Sequence, residues 1–213
     1  MSHSGLFIAF EGIDGAGKST QVAALAATLT AAGHEVICTR EPGGTAIGAR
    51  IRAILLDPQH TAMVARTEAL LFAADRAQHA AELIRPALAR GAIILGDRYW
   101  DSSIAYQGIA RGLGAERIAD LSRWATEDLP PDLTVLLDLE PRAAGERPRQ
   151  RDRIDDESVA FHGRVAAALR SLAADEPQRY LVVPADLPVS TIADRVATEV
   201  AARTTTGDRL RPG

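Results

Sequence analysis

Near the start of the chain an apolar run, Leu6-Phe7-Ile8-Ala9-Phe10, gives way to the stretch GIDGAGKST, residues 12–20. That stretch runs into Val22, Leu25, Ala26 and Leu29 at helical spacing. A strand, a glycine-rich turn and a helix in this order leave few ways to fold. The strand must be buried, the helix must pack back on it, and the loop is fixed at the strand's carboxyl end. Gly12, Gly17, Lys18 and Ser19 fit the pattern G-x-x-x-x-G-K-[ST]. Glycines there let backbone N–H groups curl around phosphate oxygens, which side chains would obstruct. The helix start adds partial positive charge. The loop from Gly12 through Ile13, Asp14, Gly15, Ala16, Gly17, Lys18 and Ser19 to Thr20 is therefore expected to hold a nucleoside triphosphate. In this reading Lys18 follows the terminal phosphates and Ser19 ligates Mg²⁺.

The chain carries 24 basic residues, and Lys18 is the only lysine among them. A GC-rich coding bias accounts for the scarcity of lysine but not for the position of the one that remains. An ammonium is a compact point charge that can track terminal phosphates, whereas a planar guanidinium fork cannot replace it in so tight a loop.

The rest of the chain alternates strands and helices. Strands are expected near 35–39, 92–96, 134–139 and 179–183, and helices near 20–30, 47–56, 65–89, 115–127, 156–173 and 189–203. This predicts an α/β fold, a doubly wound five-stranded parallel sheet flanked by helices, within one domain over residues 1–213. The tail 204–213 reads as frayed. The segment 140–153, with Arg142, Arg147, Arg149, Arg151 and Arg153 around Gly145 and Pro148, reads as a short arginine-rich lid. Polar sequence follows each strand, and in such sheets ligands gather at the carboxyl ends. Arg40-Glu41-Pro42-Gly43-Gly44-Thr45 follows the second strand and Asp97-Arg98-Tyr99 the third. So many arginines exceed what one triphosphate needs. A second phosphorylated molecule facing the first makes this a phosphoryl-transfer problem, solved by positioning and charge neutralisation.

Composition sets bounds. Hydrophobic residues make up 46% and charged residues 24%, with a net charge of −4, so no basic footprint points to nucleic acid. Cys38 is the only cysteine, and no apolar run has the length of a membrane span, so a cytoplasmic setting is expected. Several residues carry two readings. Phe72 lies in ALLFAA and reads as core or as a ring facing a ligand. Arg76 reads as a ligand contact or as a partner of Asp75 or Glu82, Asp97 as a site carboxylate or a helix N-cap, and Tyr106 as site or packing. The five histidines show no zinc spacing, and no role is assigned to them.

Taken together and in order, FEGIDGAGKSTQ, TREPGGT, IRAILLD, LLFAADRAQH, GDRYWDSSIAYQG and DRIDDES resemble the bacterial thymidylate kinases, from Phe10 to about Asp186. The resemblance implies transfer of the ATP γ-phosphate to dTMP with Mg²⁺, usually by a homodimer. It implies that Asp14 and Asp97 lie near the metal and that Arg52 and Arg98 hold the dTMP phosphate. It further implies that Phe72 stacks on thymine, that Arg76, Ser103 and Gln107 contact the base, and that Tyr106 crowds the sugar's 2′ position. Glu41 and Pro42 would shape the acceptor pocket. With Gly15 in the loop where some relatives carry arginine, catalytic arginines are expected in the lid, among Arg147, Arg149 and Arg151, with Arg153 near adenine. The rival reading is a related P-loop kinase acting on another nucleotide, a nucleoside or a metabolite. A GTP switch with an Asn-Lys-x-Asp motif is excluded, because the single lysine lies elsewhere.

Overall fold

A computed structural model describes residues 5–140, 153–154 and 157–205. Five parallel strands form one sheet in the order β2-β3-β1-β4-β5. They are β1 (Leu6–Glu11), β2 (Val36–Arg40), β3 (Ile93–Asp97), β4 (Leu133–Asp138) and β5 (Tyr180–Pro184). β1 sits in the middle because it is apolar on both faces. Ile8 and Phe10 join α1 (Lys18–Ala31), α7 (Val159–Asp175) and α8 (Val189–Thr205) in one core. Phe7 and Ala9 join Ile84, Leu88 and Tyr99 in another. The sheet winds outward from β1 in both directions, and the phosphate-type loop leaves β1 at this switch point.

The remaining helices are α2 (Ala46–Leu56), α3 (Ala65–His79), α4 (Arg85–Ala89), α5 (Trp100–Ser103) and α6 (Ala115–Thr126). The expected helix 65–89 carries a π turn at Ala80–Ile84 and runs on without a break into α4, where Pro86, which has no N–H to donate, follows directly after the wider turn. One element was not expected. α5 runs on as a π helix over Ile104–Ala110, and its short, serine-rich and aromatic sequence lacks a helical stripe. α7 starts at Val159, three residues later than the spacing indicates, because Ser158 caps it by accepting from the Phe161 N–H at 3.2 Å. Among the described residues no helix is long and apolar enough to cross a membrane. The lid arginines Arg142, Arg147, Arg149 and Arg151 lie outside the described residues.

Candidate active site

Three loops at the carboxyl edge of the sheet meet here. The first is the glycine loop. Gly17 closes it as the N-cap of α1 with φ 94°, a left-handed conformation that L side chains avoid. α1 therefore begins at Lys18, two residues earlier than the apolar spacing indicates, and Lys18 and Ser19 stand in its first turn. The Lys18 ammonium folds back and donates to the carbonyls of Gly12 and Ile13, both at 3.1 Å. It also lies 3.7 Å from Asp14. Burial and the nearby Arg98 cation lower its pKa, and the Asp14, Asp97 and Glu11 carboxylates oppose that shift. Ile13 and Ala16 are packed into the core beneath the loop.

The second loop follows β3. Strand register sets Asp97 level with Phe10 on one side and Arg40 on the other. Arg98 then takes φ 71°, unusual for a side-chain-bearing residue. Its environment explains how this is sustained. The Arg98 N–H donates to Phe10 O at 2.9 Å, and its guanidinium donates to Gly12 O (3.1 Å), Ser102 Oγ (2.9 Å) and Asp14 (2.5 Å). It also lies over the Tyr106 ring, 5.2 Å from its centre. Burial disfavours the charge, but Asp14 outweighs it and holds the Arg98 pKa well above the ordinary value.

Sequence reasoning missed Glu11. It ends β1 fully buried and accepts from the Tyr99 and Ser102 N–H groups (2.9 and 3.1 Å) and from the Ser102 hydroxyl (2.5 Å). Ser102 also accepts from Arg98, so Glu11 braces the turn that carries Arg98. Burial, with Asp101 adding to it, pushes the Glu11 carboxyl up to about 7.

The third loop follows β2 and contains the cis peptide Glu41–Pro42. Glu41 is buried and accepts from Arg76 Nε (2.8 Å) and His79 Nδ1 (2.9 Å), while His79 Nε2 pairs with Thr39 Oγ1 at 2.7 Å. His79, given no role by its spacing, is thus a brace of this turn. A Cβ on Gly44 would lie 2.6 Å from the His79 ring, so only glycine lets the turn approach α3 so closely. Asp75 accepts from the Gly43 N–H at 2.9 Å, and burial, reinforced by Glu41, raises its pKa to about 6. Arg52 donates to Pro42 O at 2.8 Å.

These loops enclose two clefts. Asp14, Gly15, Gly17, Lys18, Ser19, Thr20 and Asp97 line the first. Every residue the resemblance assigns to the acceptor lines the second: Glu41, Pro42, Arg52, Phe72, Arg76, Arg98, Ser103, Tyr106 and Gln107. Asp14, Glu41, Arg52 and Arg98 belong to both. Phe72 is core and cleft wall at once, 9% exposed. Arg76 pairs with neither Asp75 nor Glu82. It reaches across to Glu41, Ser103 (2.9 Å) and Ser122 (3.2 Å). Asp97 caps no helix, since Tyr99 stands at the α5 N-cap. Arg153 is placed elsewhere than expected. Glu68 takes its Nη2 at 2.6 Å and Leu55 O its Nε at 3.0 Å, which seats it in a groove with Arg111 and Glu157 rather than in the phosphate cleft.

The fold and the paired clefts define a P-loop phosphotransferase with the nucleoside monophosphate kinase architecture. A profile of the family described as thymidylate kinase matches residues 10–196. The chain belongs to the thymidylate kinase family. It is 50% identical over 202 residues to the thymidylate kinase of Desulforudis audaxviator (strain MP104C), covering 93% of this chain and 91% of that one. To the thymidylate kinase of Leifsonia xyli subsp. xyli (strain CTCB07) it is 53% identical over 196 residues, with 90% and 92% covered. To that of an Exiguobacterium species (strain ATCC BAA-1283 / AT1b) it is 47% identical over 196 residues, with 91% and 92% covered.

Proposed function

We propose that this chain transfers the γ-phosphoryl group of ATP to dTMP, giving ADP and dTDP. The observation that carries this reading is the wall common to both clefts. Two arginines and a carboxylate turn lie between a phosphate-type loop and an aromatic-lined pocket. A donor phosphate and an acceptor phosphate seated there would face each other, the geometry an in-line transfer needs. An acceptor phosphate oxygen attacks the γ-phosphorus, the bond to the bridging β–γ oxygen breaks, and ADP leaves. In this reading the loop N–H groups bind the ATP phosphates, and Lys18 exchanges the Gly12 and Ile13 carbonyls for phosphate oxygens. Arg98 and Arg52 neutralise the acceptor phosphate. Phe72 stacks on the base, Arg76, Ser103 and Gln107 bond its edge, and Tyr106 packs on the sugar.

Mg²⁺ fits the donor set. The Ser19 hydroxyl and the Asp14 and Asp97 carboxylates are hard oxygen ligands on the phosphate cleft. When bound, Mg²⁺ offsets phosphate charge. Arg149 and Arg151 are proposed as the lid's contribution, and Arg153 reaches ATP only by leaving Glu68. A homodimer is supported by exposed Ile47, Val64, Leu70 and Trp124 on and beside α2, α3 and α6, with α3 packed against both others. A cytoplasmic setting accords with a single cysteine.

Coupled ADP release with dTMP, dUMP, dCMP and thymidine tests the reading. dTMP should be the best acceptor and thymidine inert. Equal turnover of thymidine would remove the acceptor-phosphate role of Arg52 and Arg98.

A further inference from the structure

We infer that Glu68 sets which bases the acceptor cleft takes, by holding the Gln107 amide with its carbonyl oxygen toward the base. This rests on reading that cleft as the dTMP site. Glu68 is 1% exposed in the first turn of α3, one helical turn before Phe72. Its Oε1 accepts from Gln107 Nε2 (2.9 Å) and Arg111 Nε (3.2 Å). Its Oε2 accepts from Arg111 Nη2 (3.2 Å) and Arg153 Nη2 (2.6 Å). Burial pushes the carboxyl up, but the bonds from Arg111, Gln107 and Arg153 outweigh it and hold the pKa below the ordinary value.

An ionised carboxylate only accepts hydrogen bonds. Gln107 must therefore turn its NH₂ toward Glu68, and because the amide is planar its Oε1 faces away. Gln107 is 2% exposed and lines the cleft with Phe72 and Ser103. Among the described residues no donor reaches that Oε1. An unpartnered acceptor that opens onto the cleft wall suits a ring N–H. Thymine and uracil carry one at N3, whereas cytosine has a lone pair there, and two acceptors would then face each other. Glu68 touches no substrate. It is a positioning residue that confers a preference for bases with an imino hydrogen.

The test measures kcat/KM with ATP and dTMP, dUMP or dCMP for wild type, Glu68→Gln, Gln107→Leu and the double variant. A glutamine at 68 both donates and accepts, so the Gln107 amide is free to flip. Glu68→Gln should lower the dTMP/dCMP ratio about 10-fold or more, with the dTMP/dUMP ratio unchanged within about twofold. Gln107→Leu should lose the same selectivity, and adding Glu68→Gln should change the ratio no further. The inference is overturned if Glu68→Gln lowers all three substrates by one common factor, which is a packing defect. It is equally overturned if Gln107→Leu keeps the wild-type ratio. Should Glu68→Gln not fold, the wild-type NMR spectrum decides. The Gln107 NH₂ signals, identified as those missing in Gln107→Leu, should be protected from solvent exchange, and free exchange overturns the inference. A wild type that turns over none of the three overturns the dTMP reading itself, and this inference with it.

Discussion

Lys18 shows how one residue's chemistry can be legible and its resting partners not. The loop pattern marks the lysine, but not that its ammonium donates to the Gly12 and Ile13 carbonyls. Lys18→Met should keep the fold and lose most phosphoryl transfer. Lys18→Arg should be badly impaired as well, since the fork does not fit two carbonyls of so tight a turn. Measured turnover equal to wild type for the arginine variant would refute that steric account. Glu11 is the opposite case. It is a single carboxylate ending an apolar strand, and its partners Tyr99 and Ser102 are remote in sequence. Its folded pKa, about 7, lies above the ordinary 4.5, so the folded chain binds the extra proton. Its contribution is most favourable below pH 4.5 and is lost as pH rises to 7 and beyond. Glu11→Gln removes that titration. The variant's stability relative to wild type should therefore improve steadily from about pH 5 to pH 8, as read from urea midpoints. A pH-independent difference would show that Glu11 does not titrate in this range.

At the scale of elements, α3 carries the most information. Spacing puts Phe72 and Arg76 on one face, and both do line one cleft. Local spacing also offers Asp75 and Glu82 as partners of Arg76, and here sequence distance misleads. The actual partner, Glu41, arrives from the β2 loop, and Ser103 and Ser122 from two other helices. Such convergence depends on tertiary packing, which no local pattern encodes. Arg76→Ala leaves the buried Glu41 carboxylate with His79 alone, a type of loss that commonly costs about 3–5 kcal/mol. It should lower thermal stability together with dTMP binding. Phe72→Ala should chiefly raise KM for dTMP, by about 1–3 kcal/mol if the ring stacks on the base, and leave KM for ATP nearly unchanged. Equal effects on both substrates would make Phe72 a core residue only.

At the scale of the whole molecule, the sheet was the most legible part. Each strand lies within one residue of the apolar run that foretells it; β1, β3 and β4, in the middle of the sheet, are buried on both faces and so continuously apolar, while the edge strands β2 and β5 keep half-buried and exposed positions. The helix over Trp100–Ala110 was not legible, since its π-type hydrogen bonding has no periodic signature. The homodimer proposed above would use the exposed apolar side chains on α2, α3 and α6. Sedimentation should show a dimer, and Leu70→Glu with Trp124→Glu should shift it to a single chain. Unchanged mass would place the interface on another face.

A single ε-amine also makes the chain a one-site reporter. A protease that cuts only after lysine has one target, the Lys18–Ser19 bond, in the first turn of a packed helix with the lysine only 6% exposed. Cutting there requires the nucleotide loop to open, whether by local or by wider unfolding, so fragment yield counts the openings that free that loop. Digestion followed over time, with and without bound nucleotide, would turn the loop's breathing into two bands on a gel.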